Sequence, residues 1–181
     1  ELDCNLILAI NFVEEAKKKG IFIDEKKLSK LLEVSVVKIE AHKKKHIKKL
    51  VKTLTDQKKL MKRSNKIEYG REVESHLREI ECIIKDENIP DKYTLRWISL
   101  KLLEHDDKVI SEIKKLENSE KILKKVSEKR IHIENIYGEE ISTVIAKERY
   151  GYIEGLLKES VVREESQKED LSDKIDSIGT K

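Results

Sequence analysis

A single proline and six glycines in 181 residues leave too few turn-formers for a collagen-like chain, a mucin-like stalk or a turn-rich β-sandwich. Cysteine is just as scarce: Cys4 and Cys82 make no CxxC and no spacing suited to a disulfide framework or a zinc site. They read as reduced thiols. Aromatics make up only 4% of the chain. No apolar run approaches the ~18 residues of a membrane-spanning helix, and no charged-then-apolar leader with a cleavage site is visible. The first residue is Glu1, so the chain is expected to be processed or an excerpt of a longer protein. Catalytic signatures are missing as well: there is no G-x-x-x-x-G-K-[ST], HExxH or GxSxG. Asp176-Ser177-Ile178-Gly179 matches the short DxxG of a GTPase switch, but it lies in a polar tail rather than after a strand and reads as chance.

What is abundant is charge, at 41% of residues. The net is only +3, yet the signs are segregated. Lys38–Lys66 holds twelve Lys/Arg against two acids, Glu40 and Asp56. Ile67–Asp91 holds eight acids against three bases, and Glu159–Asp176 seven against three. Such blocks make solvated helix faces or partner surfaces. The basic block lacks the interleaved aromatics that stack bases, which argues against a nucleic-acid module and leaves a solvated or membrane-proximal face. His42 and His46 share a helical spacing, but the lysines around them repel a divalent cation. His76, His105 and His132 have no ligand-like company in the sequence.

Leu6–Ile10 is a short continuous apolar run, the pattern of a strand buried on both faces, and it stops at Asn11. Gly20 provides a turn, and Asp24 can cap a helix carrying Leu28, Leu31 and Leu32 at i, i+3, i+4. Val34, Val36, Val37 and Ile39 form a β-branched second strand. From about Lys44 a helix places Ile47, Leu50, Val51 and Leu54 on one face. Strand–helix–strand–helix implies a right-handed parallel unit. Beyond Thr55 only helical periodicity remains. Helices are expected over Ser64 to about Glu87, from Pro90 through Leu103 (apolar nearly all round, hence central), from Asp106 to Leu116, over Ser119 to about Glu128, and over about Ile136 or Gly138 to Glu165. Gly151 and Gly155 offer a smooth patch for close helix packing, and Leu171–Lys181 reads as a polar tail. The expected fold is mainly α: a small parallel αβ remnant followed by a bundle of four or five helices. Its first strand leaves an apolar edge without a partner.

Four strings carry a resemblance. Leu8 to Ile21 (LAINFVEEAKKKGI), with Ile23-Asp24, Lys27-Leu28-Ser29 and Leu31 to Val37 (LLEVSVV), is similar to the family text "ALNMxDEAEKKGIxID…KLSxLLGVPVV". Arg96–Glu104 (RWISLKLLE), Arg149–Lys158 (RYGYIEGLLK) and Leu171–Asp176 (LSDKID) resemble that family's "RWLALKLLE", "RYGFIEGILK" and "LSDKID", in its order. The family is FeoB, the bacterial and archaeal ferrous iron transporters with a cytosolic GTPase domain. The resemblance implies the C-terminal part of a GTP-binding (G) domain over 1–60, a helical regulatory domain over 61–166, and a tail over 167–181 leading toward a membrane region. It places the phosphate-binding loop and switches before Glu1 and the membrane part after Ile178.

By resemblance, Asn11 opens an N-x-x-D motif whose amide contacts guanine, and Glu14 stands in place of the Asp that takes the base N1–H and amino group. A carboxylate suits that task because it only accepts. Ala41 matches the alanine whose backbone N–H reaches the guanine oxygen, while Lys44 and His46 stand where the family usually has glycine. Read without the resemblance, Asn11 ends a strand and Glu14 is a solvated acid. The resemblance implies GTP/GDP with Mg²⁺ in the full-length protein, guanine nucleotide and the remaining G-domain and membrane portions as partners, a homo-oligomer as an open option, and a place at the cytoplasmic face of the cell membrane. Hydrolysis by this chain alone is not expected, since nothing in it would hold the β- and γ-phosphates. The rival reading is a stand-alone helical interaction module, cytoplasmic and without nucleotide.

Overall fold

The computed structural model describes residues 5–56, 67–87, 89 and 93–164. These residues divide into two compact units, one of residues 6–56 with 156–164 and one of residue 5 with 67–87, 89 and 93–155. The dividing point falls inside a continuous helix, after Gly155.

The first unit opens with β1 (Ile7–Ile10), α1 (Val13–Lys18), β2 (Ile21–Ile23), α2 (Glu25–Leu32), β3 (Ser35–Lys38) and α3 (Lys44–Thr55). β1 pairs in parallel with β3, Ile7 opposite Ser35 and Ile10 opposite Lys38. Val34, Val36 and Leu28 are buried against Leu8, Ile10, Ile23 and Leu32, so the apolar run and the β-branched run meet through α2 as their patterns require. Asp24 caps α2 as expected, accepting from the Lys27 backbone N–H at 2.9 Å.

Three features depart from the sequence expectation. Val13–Lys18 is a helix of its own, and Ile21–Ile23 is a strand. That strand exists because β4 (Val161–Arg163) returns antiparallel to it, with Phe22 opposite Val162. Gly20 does more than turn the chain: at φ +71° it lies where the returning backbone crosses, and a Cβ there would be 2.6 Å from the Glu164 carbonyl oxygen. The apolar stripe of α3 has no cover among the described residues: Val51 and Leu54 are more than half exposed, while Thr53 is the buried member of the helix.

The second unit holds α4 (Arg71–Ile84), α5 (Leu95–Leu103), α6 (Asp107–Ile113), α7 (Ser119–Tyr137) and most of α8 (Ile141–Ser160). One core joins all five, from Val73, Leu77, Ile80 and Ile84 of α4 to Ile141, Val144 and Ile145 of α8. α5 is central, burying Ile98, Ser99, Leu100, Leu102 and Leu103. The helix expected to end near Glu128 runs on to Tyr137 and stops because Gly138 takes the left-handed conformation, φ 70°, with its N–H on the Glu134 carbonyl at 2.8 Å. The helix expected to reach Glu165 ends at Ser160, where the chain turns into β4. No atom lies within 4 Å of a Cβ built at Gly151 or Gly155, so nothing described packs on that patch. Cys4, Ser64, Pro90, the DxxG at Asp176 and the LSDKID string lie outside the described residues.

Two half-buried ion pairs account for the arginines of the family-like strings. Arg96 grips Glu74 through both guanidinium nitrogens, at 2.6 and 2.9 Å, and donates to the Ile67 carbonyl at 2.9 Å. Arg149 reaches Glu104 at 2.5 Å, joining one string to the other, and Lys101 joins Glu104 at 2.7 Å.

Candidate functional site

Parallel pairing brings the carboxyl ends of β1 and β3 to the same edge, the edge at which open α/β sheets bind ligands. Asn11 follows β1 directly. After β3, Ile39 donates its N–H to the Ile10 carbonyl at 2.8 Å, which extends the pairing and fixes where Glu40 and Ala41 emerge. Ala41 then donates its backbone N–H to Asn11 Oδ1 at 3.2 Å. Two of the three residues expected at the site are therefore in direct contact.

Glu14 joins them through its backbone. Its N–H, an otherwise orphan donor in the first turn of α1, is accepted by Glu40 Oε1 at 2.8 Å. The Glu14 carboxylate is half-exposed and pairs with Lys17 at 3.3 Å. Phe12, between Asn11 and α1, sits in the left-handed region at φ 59°. A phenylalanine there is uncommon, and the conformation turns the chain from strand into helix within two residues.

The sequence assigned no part in holding the site to Glu40, and none to the His46 ring. Glu40 is 4% exposed, and besides holding Glu14 it donates its own N–H to His46 Nδ1 at 2.9 Å. His46 is consequently half-buried and engaged, not simply solvated. A signal for Glu40 was present: it is one of two acids in a run of twelve bases. Lys44 and His46, at the family's glycine positions, lie in the first turn of α3, and neither has a positive φ. The helix beginning at Lys44 accommodates both side chains without the backbone freedom of glycine.

The arrangement offers an amide donor on Asn11 and a carboxylate acceptor on Glu14, with the Ala41 backbone N–H beside them held by Asn11 Oδ1. Such a set complements a planar ring carrying a carbonyl next to N–H donors.

Residues 69–162 match the family described as FeoB cytosolic helical domain, and residues 1–54 match ferrous iron transport protein B. The chain belongs to the FeoB family. It carries a G-domain portion and the helical domain of that family. Over 181 residues it is 29% identical to the Fe(2+) transporter FeoB of Staphylococcus aureus (strain COL), covering 99% of this chain and 26% of the relative. It is 28% identical to the Fe(2+) transport protein A/Fe(2+) transporter FeoB fusion protein of Porphyromonas gingivalis, covering 99% of this chain and 22% of that protein. The chain thus spans about a quarter of the length of these curated relatives.

Among solved structures, the mGMPPNP-bound NFeoB from S. thermophilus superimposes with a TM-score of 0.68 at 26% identity, over 90% of this chain and 57% of that one. The cytosolic domain of the T. maritima FeoB iron transporter in its GMPPNP form gives 0.67 at 25%, over 90% and 59%. The FeoB fold, mainly helical with a small parallel sheet, is the fold observed here. Among the described residues no helix is long and apolar enough to cross a membrane.

Proposed function

We propose that this chain supplies the base-recognition end of the G domain and the helical regulatory domain of a GTP-dependent ferrous iron transporter, passing guanine-nucleotide state to a membrane pore. In this reading the G-domain part covers residues 1–60, the helical domain 61–166, and residues 167–181 lead toward the membrane part at the cytoplasmic face. The observation that carries it is the gathering of Asn11, Ala41 and Glu14 at the carboxyl ends of two parallel strands, with Glu14 tied in through Glu40.

The residues fit the base end of a guanine nucleotide: Asn11 and Ala41 address the ring carbonyl side, and the Glu14 carboxylate takes N1–H and the amino group. The phosphates and Mg²⁺ are a different matter, since the chain contains no G-x-x-x-x-G-K-[ST] loop. The reading assigns their binding to residues of the longer protein. Among the described residues, the single parallel pair and the exposed Val51 and Leu54 support a complement of that kind in the longer protein.

A helical interaction module that does not use nucleotide is the second reading. It is favoured by Ala41, whose N–H already has an acceptor in Asn11. Guanosine and adenosine titrations followed by backbone NMR separate the two. Weak binding of guanosine over adenosine, with shifts centred on Asn11, Glu14 and Ala41, supports base recognition. Equal responses to both nucleosides, or none, favour the module.

A further inference from the structure

We propose that His76 and His132 form a proton-sensitive latch between α4 and α7, closed with zero or one proton added to the pair and opened by the second. His76 Nε2 and His132 Nδ1 are 2.9 Å apart across the two helices. On the other side of its ring, His76 Nδ1 is 3.2 Å from Glu79 Oε1. His76 is 6% exposed, whereas His132 lies at the surface.

Those contacts dictate where the protons sit. Glu79 also pairs with Lys129, and that hydrogen bond holds its carboxyl below the ordinary range even though burial opposes the shift. An ionised carboxylate only accepts, so His76 must carry its proton on Nδ1. In the neutral ring Nε2 is then an acceptor, and His132 must donate from Nδ1. The free nitrogen of the pair is His132 Nε2.

A first added proton goes to that nitrogen. It leaves the His132 Nδ1–H···Nε2 His76 bond intact, and the charge rests on the exposed ring. A second proton has only His76 Nε2 to occupy. Two N–H groups would then face each other over 2.9 Å, each on a cation, and the bond becomes a repulsion. The groups acting on His76 are Glu79 from its own helix and Lys129 and His132 from α7. Burial pushes its imidazole down, and Lys129 and His132 reinforce that against Glu79.

The latch sits at a core-bearing contact: Leu77 and Ile80 of α4 and Ile133 of α7, all fully buried, flank it in sequence. Opening it therefore bears on how firmly α4 and α7 hold together, which makes the helical domain responsive to acid. The stability it contributes is complete above the ordinary imidazole range, about pH 6.5, and falls as pH drops through the lowered value of His76.

The test uses the full chain in the presence of EDTA, so that no adventitious metal bridges the rings. Imidazole NMR should show His76 taking its second proton only below the ordinary imidazole range. Amide protection in α4 and α7 should fall with the second step and not with the first. In His132→Gln the side-chain amide can donate to His76 at neutral pH and turn to accept from it in acid. That variant should keep the wild-type melting temperature at pH 7.5 and lose less of it at pH 5. A His76 that titrates within or above the ordinary imidazole range, amide protection indifferent to the second step, or a His132→Gln melting profile parallel to wild type would each overturn the latch.

Discussion

Ala41 donates its backbone N–H to the Asn11 side-chain oxygen over 3.2 Å, so residues thirty positions apart close the end of the β1–β3 pair. Asn11→Ala removes that acceptor. The contact is exposed and water replaces it, so the cost should be small, about 0.5–1.5 kcal/mol. Asn11→Asp keeps an acceptor for Ala41 but loses the amide donor. Under the proposed function both variants lose the guanosine preference, and only Asn11→Ala loses stability. Thermal melting and nucleoside titration of the two variants side by side check this.

The Arg96–Glu74 pair predicts an acid limit for the helical domain. Burial raises the Glu74 carboxyl, but the Arg96 hydrogen bonds, the Tyr69 N–H and the guanidinium charge outweigh it and leave the group lowered. A carboxylate depressed in the folded state contributes stability above its unfolded value, about 4.3, and loses it as pH falls through the folded value. Glu74→Gln should destabilise by about 3 kcal/mol at neutral pH, because it leaves the Arg96 cation half-buried and unpaired. It should also flatten the acid limb. Denaturant unfolding at pH 7 and at about pH 3.5 separates the two effects.

Gly20→Ala should detach the returning strand. The substitution meets both a left-handed backbone and the Glu164 carbonyl, and should cost at least about 1 kcal/mol. Hydrogen exchange at Glu164, whose N–H rests on the Gly20 carbonyl at 2.8 Å, should accelerate while amides of α5 are unchanged.

Ser99→Ala should raise stability. The Ser99 hydroxyl is fully buried in α5 and has no hydrogen-bond partner among the described residues. Removing it relieves a desolvation cost of about 1 kcal/mol, the opposite sign to the usual loss on substituting a core residue. An increase in melting temperature is the expected result, and a decrease would show that the hydroxyl is satisfied in solution.

Limited proteolysis should cut first within residues 6–56. Among the described residues, the helical unit buries a core of seventeen, whereas the αβ unit gathers a cluster of three around a single parallel pair. Exposed Leu6, Val51 and Leu54 leave the latter open to a protease, and equal resistance of the two parts would count against the argument.

Local pattern was enough where an element's reason for existing lay in its own residues. The apolar run at Leu6–Ile10, the Asp24 cap, the start of α3 and the central α5 could all be read from spacing and side-chain type. The break between α7 and α8 was expected from about Glu128 to Gly138, too early, because Gly138 reads equally as the start of one helix and as the left-handed stop of the other. Asn11, Glu14 and Ala41 came from the resemblance of their strings to FeoB.

Only the tertiary structure decided the rest. Ile21–Ile23 and Val161–Arg163 are three-residue segments with no pattern of their own, and each is a strand because the other lies beside it. Glu40 holding Glu14, His46 turned back onto Glu40, and His76 against His132 depend on side-chain direction across separate elements. Periodicity assigns a residue to a face. Which partner it meets there is set by long-range packing, because a buried donor or acceptor has to be satisfied by whatever the fold brings within reach.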